Sequence, residues 1–250
     1  MLLLPSVHFL RPWVSHYWIS HSVTADSYPV LPDGCVDLVF VVSATHWQVL
    51  LYGTSTAPCP LALDAGTTYL GVCFAPGQAR HLLDLPLDNL TDAALPAAGH
   101  VCLPFEALAE AVHRESPAQL AARLDQALMQ QLAGCPVQEG HVDKALAGLR
   151  QGLAVQTLLA DSGVGARQLQ RLFREQVGVS LQTLASIRRV RRLARWLIAD
   201  QQRSLADIAL AVGYTDQSHM NRACRQLLGV TPATLRRDHV AFVQAGQAAR

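Results

Sequence analysis

"AVGYTDQSHMNRACRQLLGVTPATL", residues 211–235, decides the reading of this chain, because its pattern occurs twice. Fifty-one positions upstream stands "ADSGVGARQLQRLFREQVGVSLQTL", residues 160–184. Under that shift Ala160 meets Ala211, Arg171 meets Arg222 and Arg174 meets Arg225. Gly178-Val179 meets Gly229-Val230, Ser180 meets Thr231, and Leu184 meets Leu235. Each copy predicts a short helix (Val155–Asp161; Leu205–Val212) and a tight turn at Ser162-Gly163 or Gly213-Tyr214. A longer helix follows and ends near Gly178 or Gly229, where a C-terminal glycine belongs. Helix, short glycine-containing turn, helix is the helix-turn-helix layout.

The longer helix of each copy sorts into two faces. In the first, Leu169, Leu172, Phe173 and Val177 make an inner stripe, and Arg167, Gln170, Arg171 and Arg174 recur at i, i+3, i+4, i+7 on the other side. In the second, Met220, Ala223, Cys224 and Leu227 are inner, and Ser218, Asn221, Arg222 and Arg225 are outer. The two outer sets are related by the same 51-residue shift. Neither contains Lys or Glu, the usual choice for a merely solvated face. A helix fits the DNA major groove, where Arg forks onto guanine and Asn or Gln onto adenine.

Between the copies runs "SLQTLASIRRVRRLARWLIAD", residues 180–200. Ile187, Val190, Leu193, Ala194 and Leu197 form its apolar stripe, with Arg188, Arg189, Arg191, Arg192 and Arg195 around it. One helix over 181–199 would be about 28 Å long at 1.5 Å per residue. That length suits two reading helices about one DNA turn, roughly 34 Å, apart. Arg188, Arg189 and Arg192 here, with Arg174 and Arg225, are candidates for phosphate contacts, which add salt-sensitive and sequence-blind affinity.

Charge divides along the chain. The whole carries 20 Lys+Arg and 19 Asp+Glu. Residues 1–150 hold 6 basic against 13 acidic side chains, while residues 151–250 hold 14 against 6, and all 14 are Arg. An acidic half joined to a basic half places a polyanion at the basic one. Residues 1–100 are instead short apolar runs between Gly and Pro. "YPVLPDGCVDLVFVV" puts an Asp33-Gly34 turn ahead of a run at 35–42, "WQVLLYGTSTAP" gives another, and "TTYLGVCFAPG" a third. This pattern predicts a small β-sandwich or barrel. From about residue 104, "PFEALAEAVHRES" and "PAQLAARLDQALMQQLAG" read as helices with Pro at or near the start. Leu120, Leu124, Leu128 and Leu132 form a stripe that packs on its own domain or makes a dimer seam. "GCPVQEG" (134–140) reads as a linker.

These residues carry a family resemblance. "SLADIALAVGYTDQSHMNRACRQLLGVTPATLRR" (204–237) resembles the signature of the AraC/XylS transcription regulators, and "LADSGVGARQLQRLFREQVGVSLQTLASIRRVRRLARWL" resembles their first helix-turn-helix and linking helix. The resemblance implies base-facing roles for Arg167, Gln170 and Arg171 in the first unit. In the second it implies them for Gln217, Ser218, Asn221 and Arg222. Two departures stand out: Met220 and Cys224 where the family commonly has Phe, and Gly165 where Ser or Thr often caps the helix. "LPDGCVDLVF", "YGTSTAP" and "GVCFAPGQARHLLDLPLDNLTD" are similar to a β-rich domain that precedes such units, cupin-like in the wider family, binding a small effector, dimerising, or both.

The expected architecture is therefore α+β in two domains. A β-barrel or sandwich of cupin-like type fills 1–103, a helical dimerisation or linker region 104–140, and a DNA-binding domain 141–240. The last holds helix-turn-helix units at 155–178 and 205–229. The expected function is an effector-responsive, sequence-specific transcription regulator and not an enzyme, with double-stranded DNA, an unidentified small effector, RNA polymerase and a second copy as partners. No run approaches 18 apolar residues, so no membrane span is expected, and the expected address is the cytoplasm, on the bacterial nucleoid. No cofactor or metal is expected. A metal-dependent cupin enzyme would need a His-x-His, which the ten dispersed His do not form. Cys35, Cys59, Cys73 and Cys102 lack the close pairs of a four-cysteine zinc site. Thiol or soft-metal sensing through the cysteines stays open as an alternative.

Overall fold

The structure, a computed structural model, describes residues 1–133 and 140–237. Residues 134–139 of the linker predicted at 134–140, and the end of the chain beyond 237, lie outside them. The amino-terminal half is built from β1 (Leu2–Leu4), β2 (Val14–Ser22), β3 (Asp26–Val30), β4 (Val36–Val42), β5 (Trp47–Tyr52), β6 (Cys59–Leu63), β7 (Thr67–Phe74) and β8 (Ala94–Pro96). Six strands form one sheet in the order β1-β2-β7-β4-β5-β8, and β3 pairs with β6 alone. Of the expected barrel or sandwich, the sheet takes the sandwich form and does not close. The three-residue strands β1 and β8 remain as separate edges, and the arrangement is sandwich-like, with the β3–β6 pair over one face.

Alternation along the strands separates two faces. Even-numbered Leu70, Val72 and Phe74 of β7 join Leu38 and Phe40 of β4 and Tyr17 of β2 in the core. Two helices cover that face, α1 (Phe105–Arg114) and α2 (Pro117–Leu132). Phe105 meets Phe40 edge-on with ring centroids 6.0 Å apart. The Tyr17 hydroxyl donates to Asp125 Oδ1 of α2 at 2.8 Å. Leu120, Leu124, Leu128 and Leu132 are at most 3% exposed within this same cluster. Their stripe is occupied by the chain's own sheet, so it is not a free dimer seam.

The carboxy-terminal half comprises α3 (His141–Gln151), α4 (Val155–Ala160), α5 (Ala166–Val177), α6 (Leu181–Ala199), α7 (Leu205–Ala211), α8 (Gln217–Leu228) and α9 (Pro232–Arg237). Both units of the repeat take the expected shape. Gly178 and Gly229 end α5 and α8 with φ of 89° and 73°, the left-handed conformation that glycine adopts without strain. The echo extends to capping: Ser180 accepts from the Thr183 N–H at 3.0 Å, and Thr231 accepts from Thr234 at 3.1 Å. Each unit has its own core. One gathers Leu169, Phe173 and Val177 around α3 and the start of α6. The other gathers Met220, Cys224 and Leu227 around the remainder of α6 and α7.

The two halves meet at the first unit. Thr54 donates to the Val177 carbonyl at 3.1 Å, and Thr91 donates to the Gly178 carbonyl. Arg80 pairs with Asp143 of α3 at 2.6 Å. Gly34, at φ 84°, lies against α6 so closely that an added Cβ would stand 2.3 Å from Leu184 Cδ1.

Candidate functional site

The outer faces of α5 and α8 stand clear of the fold. Arg167, Gln170, Arg171 and Arg174 on α5 are exposed, as are Gln217, Ser218, Arg222 and Arg225 on α8, with Asn221 half-buried. The inner stripes hold them in place: Leu169, Phe173, Met220 and Cys224 have no exposed surface. Asp216 caps α8, accepting from the His219 N–H at 2.7 Å, and those backbone donors hold its carboxyl below the usual carboxylate range. Gly165 starts α5 with no side-chain cap.

The outer face of α5 is not bare. Arg171 pairs with Glu175 at 2.8 Å, one turn along the helix. Asp88, on the turn Leu87–Leu90 of the β half, borders the same groove as Arg167, Gln170, Arg171 and Arg174. Spacing alone hid this carboxylate, because it comes from a turn 79 residues earlier than Arg167.

The α6 arginines divide by role. Arg192 donates to the Val212 carbonyl at 2.6 Å, closing the end of α7. Arg189 lies over the Tyr214 ring, 5.4 Å from its centroid. These two phosphate candidates hold the linking helix to the second unit's turn. Arg188 is half-buried in a cleft it shares with Arg150, Arg191 and Arg195, where burial and the neighbouring guanidinium groups lower its pKa.

A family model described as a helix-turn-helix domain matches residues 158–238, and one described as a domain of unknown function (DUF6597) matches 3–96. The HTH-type transcriptional regulator GlxA of Rhizobium meliloti (strain 1021) is 39% identical over 77 residues, 30% of this chain and 23% of that protein. The match to "Probable transcription factor PqrA" of Proteus vulgaris is 30% identical over 88 residues, 35% of this chain and 71% of that protein. The chain belongs to the AraC/XylS family. The chain spans under a quarter of the length of GlxA. Among solved structures, an AraC-type transcriptional regulator from Chromobacterium violaceum covers 40% of the chain at 23% identity with a TM-score of 0.37. ToxT of Vibrio cholerae covers 88% at 9% identity with a TM-score of 0.47.

In this AraC/XylS protein the sheet face away from α1 and α2 encloses a cavity of about 160 Å³. Trp18, Tyr52, Tyr69 and Val39 of the sheet line it, and Tyr28 and Leu61 of the β3–β6 pair cover it. The Trp18 indole lies across Gly71, where any Cβ would stand 2.0 Å from the ring. Trp18 Nε1 donates to Asp37 Oδ1 at 3.0 Å. Burial raises the Asp37 carboxyl to about 7; Asp33 adds to the rise and the Trp18 bond opposes it. Register sets His16, Cys73 and Asp37 side by side across β2, β7 and β4. At that end Asp33, Cys35 and Cys73 come together, the one such group of three ligand-type side chains among the described residues. Their spacing of two and 38 residues gave no motif. Cys59 and Cys102 are exposed and take no part in it, so the four cysteines do not assemble. Among the described residues no helix is long and apolar enough to cross a membrane.

Proposed function

We propose that this chain is a one-component regulator, not an enzyme, that reads two successive major grooves and changes its grip when the amino-terminal cavity is filled. The observation that carries the reading is the pair of exposed outer faces on α5 and α8. They match under one 51-residue shift, and each rests on an inner stripe anchored by fully buried residues, Leu169, Phe173 and Val177 in α5 and Met220 and Cys224 in α8. Arg167, Gln170 and Arg171 face bases in the first groove, and Gln217, Ser218, Asn221 and Arg222 in the second. Arg174, Arg188 and Arg225 take phosphates, with Arg189 and Arg192 bracing α6 and adding charge. The effector is a small, mainly apolar molecule of a size set by the cavity between the sheet and the β3–β6 pair, with Asp37 as its buried polar contact. Residues 1–133 act as the sensing half and 141–237 as the reading half, working in the cytoplasm on the nucleoid. A homodimer and contact with RNA polymerase complete the scheme, the dimer using a surface other than the buried Leu120–Leu132 stripe.

Selection of bound fragments from a random duplex pool, followed by footprinting, tests the reading. Two protected half-sites centred about 10 bp apart on one face are expected. Recovery of no preferred sequence, with affinity set by salt alone, would refute it.

A further inference from the structure

The cavity ends at α6 in a cluster that an apolar effector does not need. A carboxylate oxygen of Asp33 and the sulfurs of Cys35 and Cys73 all lie within 4.8 Å of one another. In a tetrahedral zinc site with Zn–S near 2.3 Å, neighbouring sulfurs stand about 3.8 Å apart. Closing around an ion therefore takes shifts of about an ångström, within reach of side-chain rotation. We infer that Asp33, Cys35 and Cys73 bind a thiophilic divalent cation of the zinc type, and that its occupancy alters the hold of the sensing half on α6. The second clause rests on the regulator reading above; the first does not.

The donor set selects the ion. Two thiolates favour zinc-type cations over magnesium, calcium or manganese, which prefer all-oxygen sites. Charge also balances in both states. Without an ion, and with both thiols carrying their ordinary protons, Asp33 is balanced by Arg191 across 3.9 Å. With an ion, two thiolates and one carboxylate carry three negative charges, against two on the cation and one on Arg191. Binding thus releases two protons. Three protein ligands leave one position open toward the cavity. Water fills it, or His16, which pairs with Cys73 across β2 and β7 on the same sheet face and also lines the cavity.

The cluster sits where it can be felt by the reading half. Asp33, Gly34 and Cys35 are consecutive. Asp33 faces Arg191 of α6, and Gly34 packs on Leu184 of the same helix. An ion that takes the Asp33 carboxylate as a ligand competes for it with Arg191, on the helix that spaces the two readers.

Titration of the reduced, metal-stripped full chain with Zn²⁺ against a chromophoric chelator, and separately with Co²⁺, tests the inference. One ion per chain, two protons released and thiolate-to-cobalt charge transfer in the near ultraviolet are expected. Cys35→Ser should weaken binding by more than about 100-fold, exceeding the effect of losing an outer-shell partner, while Cys102→Ser leaves it unchanged. Cys73→Ser places a hydroxyl in the buried sheet and so perturbs the fold as well, which makes the wild-type cobalt spectrum the deciding readout. A spectrum without thiolate charge transfer overturns the site, as does uptake that survives Cys35→Ser. So does a Cys35–Cys73 disulfide formed in air by a chain whose reduced form takes up no ion. Footprinting of the metal-free chain separates the two readings. Sequence-selective protection without zinc uptake retains the regulator and removes the metal site. Zinc uptake without any selected sequence does the reverse.

Discussion

Replacing Arg171 and Arg222 by Ala, one at a time, probes the two readers at equivalent positions, and the structure predicts unequal losses. A guanidinium forked onto guanine contributes about 1–3 kcal/mol of discrimination, so Arg222→Ala should raise Kd for the selected site by about 5- to 150-fold. Arg171 must first leave Glu175, its partner at 2.8 Å. Both side chains are well exposed, at 63% and 37%, and an i,i+4 pair of this kind is worth only about 0.3–0.5 kcal/mol. The net loss for Arg171→Ala is smaller by that amount, about a factor of two in Kd. By the same reasoning Glu175→Ala should tighten binding about twofold. Fluorescence anisotropy at fixed ionic strength, repeated with single base-pair changes in each half-site, gives both magnitude and specificity. Each Arg variant should lose discrimination at one base pair in its own half-site. Equal weakening on every sequence, with a salt slope flattened by about one, would move these residues to phosphate and refute the assignment.

Leu128→Ala removes a fully buried side chain beneath the sheet and should cost about 2–5 kcal/mol, read as a lower urea midpoint at unchanged oligomeric mass. Loss of a dimer without loss of stability would return the stripe to an interface. Asp216→Ala removes the α8 cap and should cost about 1 kcal/mol, while Gly165→Ser supplies a cap in open space and should add a few tenths; thermal unfolding checks both. Asp88→Asn removes the carboxylate beside the first reading face and should tighten DNA binding by roughly two- to fivefold at low salt, fading at high salt. An unchanged Kd at low salt would mean that the β half lies away from bound DNA.

The reading half was legible because its information is local. Helix periodicity, glycine at C-terminal caps and a repeated face of Arg, Gln and Asn are each set within a dozen residues. Even the extent of α6, Leu181–Ala199, follows from its stripe and from Ser180 as cap. The amino-terminal half was legible only as short strands. The strand runs at β4, β5 and β7 were readable, but not the order in which they pair, which depends on contacts distant in sequence. Barrel and sandwich could not be told apart at this level, since closure depends on how edge strands meet.

What the sequence by itself determined is the pair of repeated helices and the chemistry of their outer faces, because a 3.6-residue period assigns each side chain a face without reference to the rest of the chain. Only the tertiary structure decided which face the leucine stripe of α2 covers and where Asp88 stands. It alone brought Cys35 and Cys73, 38 positions apart, to one end of a cavity beside Arg191. Cross-strand neighbours arise from register and packing, and a shift of one residue in β7 would have turned Cys73 to the other face.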